Sequence, residues 1–331
     1  MIDRRMIPQL GCEISRLGYG GMRFPKNGDE VDVEEAVKLL RKAYDMGVNY
    51  FDTAVVYHKG ESEKIFGKAF EIYDRSSYYL ADKMSIWVCK DEQEMKDLFE
   101  RQLKTLKTDY IDFYLVHSLN RNHYQKVKEF HCVEFLQEMK RQGKIKHLGF
   151  SFHDTYPVFT QILNDYDWDF VQIQLNYLDW QNQGAEQLYR ELEKRNLPCM
   201  VMEPVRGGYL ATLDEQRAKP FLEMEPNRSI ASWAIRWVES LPQVTVVLSG
   251  MSDMEQMSDN MRATEPLTDE ERALLTKVCR ILNEEKTIPC TACGYCAGHC
   301  PMSIPVPEYF RIYNEYLRYP DEDWKIKPVY E

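Results

Sequence analysis

Eight times along this chain a short apolar run gives way to a longer stretch with apolar residues at helical spacing, and this alternation constrains the fold most. Strands are expected at Leu17–Gly20, Val48–Phe51, Tyr78–Ala81, Ile111–Val116, His147–Phe150, Phe170–Leu175, Pro198–Met202 and Thr245–Leu248. Helices fit the segments between them. One starts at Asp32, with Glu35 at capping-box spacing and Gly47 as its stop. Another starts at Asp91, with Glu94 three residues on. Others are expected over Glu61–Ile72, Val133–Gln142, Val158–Asp165, Ala185–Arg195 and Ser229–Ser240. Repeated strand–helix units imply a parallel sheet. Eight of them favour a closed (β/α)8 barrel over a doubly wound open sheet. A barrel of this kind takes about 250 residues. The 331 residues therefore divide into a barrel over 1–285 and a small C-terminal segment over 286–331.

Charge and hydropathy narrow the partners. The net charge is −11, and an acidic chain repels nucleic acid and anionic membrane surfaces. No apolar run approaches the roughly 20 residues of a membrane-spanning helix. The opening Met1-Ile-Asp-Arg-Arg5 has no apolar signal core behind it. The expectation is a cytoplasmic protein that acts on a small molecule, with no nucleic acid and no membrane.

Four of the nine cysteines crowd into Cys290-Thr-Ala-Cys293-Gly-Tyr-Cys296-Ala-Gly-His-Cys300-Pro301. The pattern C-x2-C-x2-C-x3-C-P is the bacterial ferredoxin run for a [4Fe–4S] cluster. A structural zinc knot is the competing reading, but it usually uses separated C-x2-C pairs. In paired-cluster proteins the fourth cysteine serves the other cluster, and no second run follows within these residues. Cys300 either completes a single cluster or leaves it incomplete; Cys279 is a weak spare, and His299 reads as a surface residue. Beyond the run, Tyr309, Phe310, Tyr313, Tyr316 and Leu317 sit at helical spacing and are expected to pack against the barrel or the cluster rather than form a binding site.

Parallel barrels place active sites at the C-terminal ends of their strands. Asp52, Lys83 and His117 fall at three successive such ends, and Tyr57 lies just beyond Asp52. Singly, each has a plain structural explanation: a helix cap, a solvated lysine, a loop histidine, one of 21 tyrosines. Together they suit carbonyl reduction, which needs a hydride on carbon and a proton on oxygen. A tyrosine of pKa about 10 is a poor acid near neutrality, and a neighbouring ammonium lowers that value. A carboxylate holds the ammonium charged and oriented, and a histidine donor can align the carbonyl oxygen.

These residues resemble a known family. Phe51-Asp52-Thr53-Ala54, Tyr57-His-Lys-Gly-Glu-Ser-Glu63 and Gly67-Lys-Ala69 resemble the aldo-keto reductase signature. Ala81-Asp82-Lys83 resembles the strand usually written A-T-K, and Tyr110-Ile-Asp-Phe-Tyr-Leu-Val-His117 resembles the fourth strand. The resemblance runs from about Ile14 to Ala263 and implies Asp52, Tyr57, Lys83 and His117 as a catalytic tetrad. It also implies a nicotinamide cofactor. Gly20, Gly21 and Met22 would lie near the nicotinamide, Ser151 and Gln172 would contact its carboxamide, and Tyr177 would stack on the ring. Phe152 stands where the family often has Asn. Glu203, Pro204, Arg206 and Gly208 would cover the pyrophosphate. Ser249, Gly250, Met251 and Gln256 belong to a stretch that resembles the adenosine-phosphate segment, and Asn260 would meet the adenine. That segment holds no basic residue but does hold Asp253, Glu255 and Asp259, so NADH and NADPH both stay open.

The resemblance implies an NAD(P)H-dependent reductase of aldehydes or ketones. A second reading is an iron–sulfur oxidoreductase exchanging electrons with a redox partner protein or a flavin. A third, a non-catalytic redox sensor, is disfavoured by the intact tetrad.

Overall fold

Eight parallel strands close into a barrel in chain order. They are β1 (Leu17–Gly20), β2 (Tyr50–Asp52), β3 (Tyr79–Met84), β4 (Ile111–Leu119), β5 (Ile145–Phe152), β6 (Phe170–Gln174), β7 (Cys199–Met202) and β8 (Val244–Ser249). This fold is that of a computed structural model. It describes residues 2–263, 265–283, 287–288, 290, 296 and 300–318. By backbone contacts the chain divides into two units: Met1–Pro204 with Ile235–Pro266, which carries the barrel, and Val205–Ala234 with Leu267–Glu331.

Strand periodicity sorts the barrel's side chains into two sets. Side chains alternate across a strand. Tyr50, Ala81, Phe113, Leu115, Phe170, Met200, Val246 and Leu248 form one buried cluster, the lumen core. Residues two positions further along these strands face the same way. Asp52 follows Tyr50, Lys83 follows Ala81, His117 follows Leu115 and Gln172 follows Phe170, so polar groups cap the lumen at its C-terminal end. The alternate positions, among them Phe51, Leu80, Tyr114, Val116 and Val171, belong to the core between strands and helices. Fully burying one such side chain contributes about 1.5–3 kcal/mol.

The helices begin where the sequence signals them. Asp32 caps α1 (Val33–Asp45), its side chain accepting the Glu35 N–H. Asp91 caps α3 (Glu92–Leu106) by accepting from Glu94 N. Between them, α2 (Glu61–Phe70) follows a turn in which His58, Lys59 and Gly60 all have positive φ. Gly67 on α2 lies so close to the Thr105 carbonyl of α3 that a Cβ there would collide with backbone. This explains a glycine inside a helix.

A hairpin of Arg4–Ile7 and Cys12–Ser15 was not apparent in the sequence. Its Ile7, Leu10, Cys12 and Ile14 join the lumen core. Arg5 Nη1 donates to the Val244 carbonyl (2.9 Å), and Ser15 N donates to Asn49 Oδ1 (2.7 Å). Both partners stand at strand starts, so the hairpin closes the barrel's N-terminal end.

Arg16, after this hairpin, donates from Nη2 to the Glu239 carbonyl at 2.6 Å, and its Nε lies 3.9 Å from Glu239 Oε2. Burial raises the Glu239 carboxyl from 4.5 to about 7, against the opposing pull of Arg16 and Arg5 and with Asp3 adding to the rise. An acid raised in the folded state ionises first in the unfolded chain. Folding therefore loses stability as pH climbs from about 4.5 to about 7, by about 3 kcal/mol in all. Glu239→Gln is accordingly expected to raise Tm above about pH 8 and to leave it nearly unchanged below about pH 4. Thermal melts of both chains across that range test this; equal melting temperatures throughout would remove Glu239 as the source.

In the second unit the described helices are Glu215–Met224, Asp269–Asn283 and Val306–Arg318, with Ile230–Glu239 spanning the boundary. Asn314 clamps Ile288 through both backbone groups, at 2.6 and 2.7 Å. Of that stripe, Phe310 and Leu317 are half-buried and the tyrosines face outward. Tyr309, Tyr313 and Tyr316 are 47, 48 and 46% exposed, while Ile312 and Asn314 are the buried positions. Among the described residues no helix is long and apolar enough to cross a membrane.

Candidate active site

Asp52, Lys83 and His117 end adjacent strands, and the structure brings all three together with Tyr57. Lys83 is fully buried. Its Nζ donates to Asp52 Oδ1 and to the Thr53 carbonyl, each at 2.6 Å. The same Nζ sits 4.8 Å from the centroid of the Tyr57 ring. The Tyr57 and His117 rings meet edge to face at 5.9 Å. Tyr57 reaches this place because the chain turns straight after β2: its N–H bonds the Ala54 carbonyl, and the turn Tyr57–Gly60 then leads into α2.

Burial sets the electrostatics. The Asp52 carboxyl is pushed above the usual carboxylate range by desolvation, against the opposing pull of Lys83 and of the Gln172 amide, which donates to Oδ2 at 3.3 Å. Desolvation first, and Lys83 next, hold the His117 imidazole well below its ordinary range, so it is neutral at pH 7. His117 Nδ1 lies 2.7 Å from Ser85 Oγ. Trp87 lies beside His117 at 5.0 Å and stacks on His123 at 4.7 Å.

Against known proteins, the Aldo/keto reductase family profile matches residues 16–280. The chain belongs to the aldo-keto reductase family. It is an oxidoreductase by that membership. The oxidoreductase YqkF of Bacillus subtilis is 26% identical over 304 residues, covering 81% of this chain and 94% of its own. L-galactose dehydrogenase of Arabidopsis thaliana is 22% identical, covering 80% and 89%. Among solved structures, an aldo-keto reductase from Klebsiella pneumoniae in complex with NADPH superposes with a TM-score of 0.69 at 22% identity, covering 84% of this chain and 95% of its own. These likenesses support the barrel.

The residues that an aldo-keto reductase would turn toward a nicotinamide are placed as follows. Gly20 ends β1; Gly21 lies so near the Phe66 ring (2.5 Å from an added Cβ) that only glycine fits, and Met22 is half-buried. Ser151 Oγ accepts from Ser118 N at 2.7 Å, and Ser151 and Gln172 are opposite one another across β5 and β6. Tyr177 is buried. Ser249 Oγ accepts from Asn260 Nδ2 at 2.9 Å, and the buried Met251 offers its carbonyl to Tyr19. Gln256 is exposed and turned to Asp253, the cap of the helix Met254–Arg262. Pro204 is buried, and Glu203 has a positive φ of 57°. In the other unit, Arg206, Gly207 and Gly208 also have positive φ.

Several neighbours were missed in the sequence. Ser85 and Trp87 lie just past the end of β3, on the turn Ile86–Val88 and its start, where strand spacing carries no signal. Arg23 is the other: its carbonyl accepts from Ser252 Oγ at 2.9 Å, its side chain packs on Gly250, and its Nη2 lies 3.7 Å from Glu203 Oε1. A cation from the β1 loop thus borders the base-free adenosine segment.

Of the cysteine run, Cys290 and Cys300 are half-buried and Cys296 is exposed; Cys293 and His299 lie outside the described residues. Among the described residues no three His, Cys, Asp or Glu side chains come together as metal ligands. Burial raises the Cys279 thiol to about 12, which disfavours the thiolate a metal would need.

Proposed function

We propose that the chain reduces an aldehyde or ketone to an alcohol with NADPH or NADH, and that Tyr57 gives the proton. The observation that carries this reading is Lys83 Nζ poised over the Tyr57 ring while bonded to Asp52. Bound nicotinamide would supply the hydride. An ammonium near the phenol favours phenolate and makes Tyr57 a better acid. Asp52 and the Thr53 carbonyl fix that ammonium. With Ser85 donating to Nδ1, neutral His117 keeps its proton on Nε2 and can hold the substrate oxygen. Two similar structures, both of aldo-keto reductases from Klebsiella pneumoniae, are described with NADPH or NADP. The lumen-end residues fit such a ligand: Gly20, Ser151, Gln172 and Ser249 present small or polar groups toward strand ends, and Asn260 reaches Ser249 from the helix Met254–Arg262.

The C-terminal run is proposed to hold one [4Fe–4S] cluster through Cys290, Cys293 and Cys296, with Cys300 as fourth ligand. Its support is the spacing and the thiolate chemistry of such clusters. The barrel is assigned to 1–285 and the cluster segment to 286–331. A redox partner would be served by that segment. The protein is expected in the cytoplasm.

The test uses anaerobically prepared full-length protein, with oxidation of each cofactor followed against aldehydes such as para-nitrobenzaldehyde, and with iron and sulfide measured alongside. Turnover with the aldehyde is expected, with weak preference for NADPH. A charge-assisted phosphate contact contributes about 1.5–3 kcal/mol; two cations border the adenosine segment, Arg23, set against Glu203, and Arg262, whose Nε donates to the Ser258 carbonyl at 3.1 Å. A thousandfold preference would show a stronger phosphate site than these residues make. Absence of turnover, with rapid electron exchange to a viologen, would replace the reductase reading by the electron-transfer one.

A further inference from the structure

Behind the catalytic lysine lies a second buried acid site. Asp82, on the outward face of β3 next to Lys83, is fully buried, and Glu63 of α2 is 4% exposed. Both are tied to the Lys83 backbone, Asp82 directly and Glu63 through Gln102, and the Glu63 charge bears on Asp82. Asp82 Oδ1 accepts the Lys83 N–H at 2.8 Å, but among the described residues Oδ2 receives no N–H or O–H. The neighbouring donors are already used. Gln102 Nε2 donates to Glu63 Oε1 and to the Lys83 carbonyl, each at 3.0 Å, and the Tyr114 hydroxyl donates to Gln102 Oε1. Ionised carboxylates only accept hydrogen bonds. Two of them facing each other away from water repel, and one proton between them supplies the missing O–H donor.

We propose that Glu63 and Asp82 share one proton and act as a positioning pair that fixes the Lys83 backbone and sets the charge behind its ammonium. The inference rests on the reductase reading above. Burial raises both carboxyls, and for Asp82 the Glu63 charge adds to the rise. The charged and titratable groups around the pair are Lys83 and Asp52 on the strands, Arg101 on α3 and the Tyr114 phenol on β4. With one proton the pair carries a single negative charge. Losing it to solvent adds a second charge beside Lys83, which offsets the ammonium's effect on Tyr57. Reduction then slows on the alkaline side. Asp82 stands where the A-T-K pattern has threonine, whose hydroxyl donates without titrating in this range.

The full chain is examined with NADPH and para-nitrobenzaldehyde as wild type, Asp82→Asn and Glu63→Gln. Each variant's amide replaces the shared proton by a permanent donor. The alkaline limb of kcat is expected to move up by about one pH unit or more in both variants, the size of a one-unit pKa change. Infrared difference spectra at neutral pH are expected to show a protonated-carboxyl C=O band in the wild type that both variants lose. If both variants fold and keep that band, or keep the wild-type limb, the shared proton is overturned. A wild type that does not reduce the aldehyde overturns the reductase reading instead, and the infrared band alone then decides the proton.

Discussion

Tyr57→Phe is expected to lower the rate of carbonyl reduction by at least about 10²–10⁴-fold, the usual contribution of general acid catalysis, while cofactor binding stays nearly intact. The substitution keeps the ring against Lys83 and His117 and removes only the hydroxyl. The ring contacts at 4.8 and 5.9 Å should therefore survive, and the fold with them. Turnover of para-nitrobenzaldehyde and fluorescence titration of NADPH, run in parallel on both chains, separate chemistry from binding. A variant that keeps most of its rate would show that the proton comes from elsewhere.

Lys83→Met is expected to be the most destabilising single change at this site. Methionine nearly fills the lysine's volume but leaves the buried Asp52 carboxylate without its 2.6 Å partner. Removing one member of a buried ion pair costs about 3–5 kcal/mol. Gln172, at 3.3 Å, remains as a weaker donor. Adding Asp52→Asn should restore much of the stability, because the uncompensated charge is gone, but no activity, because Tyr57 still lacks its ammonium. Urea unfolding of the two single variants and the double variant measures the coupling. A Lys83→Met chain as stable as the wild type would mean that Asp52 is neutral in the native protein.

The sequence and structure agree where local chemistry is strong. Asp32 and Asp91 cap helices as their spacing implies, and Leu17–Gly20 and Ala185–Arg195 match residue for residue. Asp52, Lys83 and His117 were legible as candidates because they fall at the ends of consecutive strands, with Tyr57 on the loop after the first. Elements with thin apolar patterns were not. The helix Arg121–Glu129 buries only Tyr124 and Val127 and is held by the Asn120 cap, so its sequence reads as loop. Pro220 hides the helix around it. The N-terminal hairpin is too short for any period to show. Within the site, Ser85 and the acid pair depend on which strand face meets which helix, and that is fixed by barrel closure rather than by spacing along the chain.

The order of the strands also has a consequence for how such a chain can diverge. Asp52, Tyr57, Lys83 and His117 all come from β2 to β4 and the loops between, a single stretch of fewer than about 70 residues. Most groups assigned to the cofactor come from β5 onward. Two hydrogen bonds form a seam between these stretches: Gln172 to Asp52, and Ser118 N to Ser151 Oγ. An insertion, exchange or drift of sequence in the later half can therefore retune which dinucleotide is held while inheriting the proton chemistry whole, provided that Gln172 and Ser151 are kept.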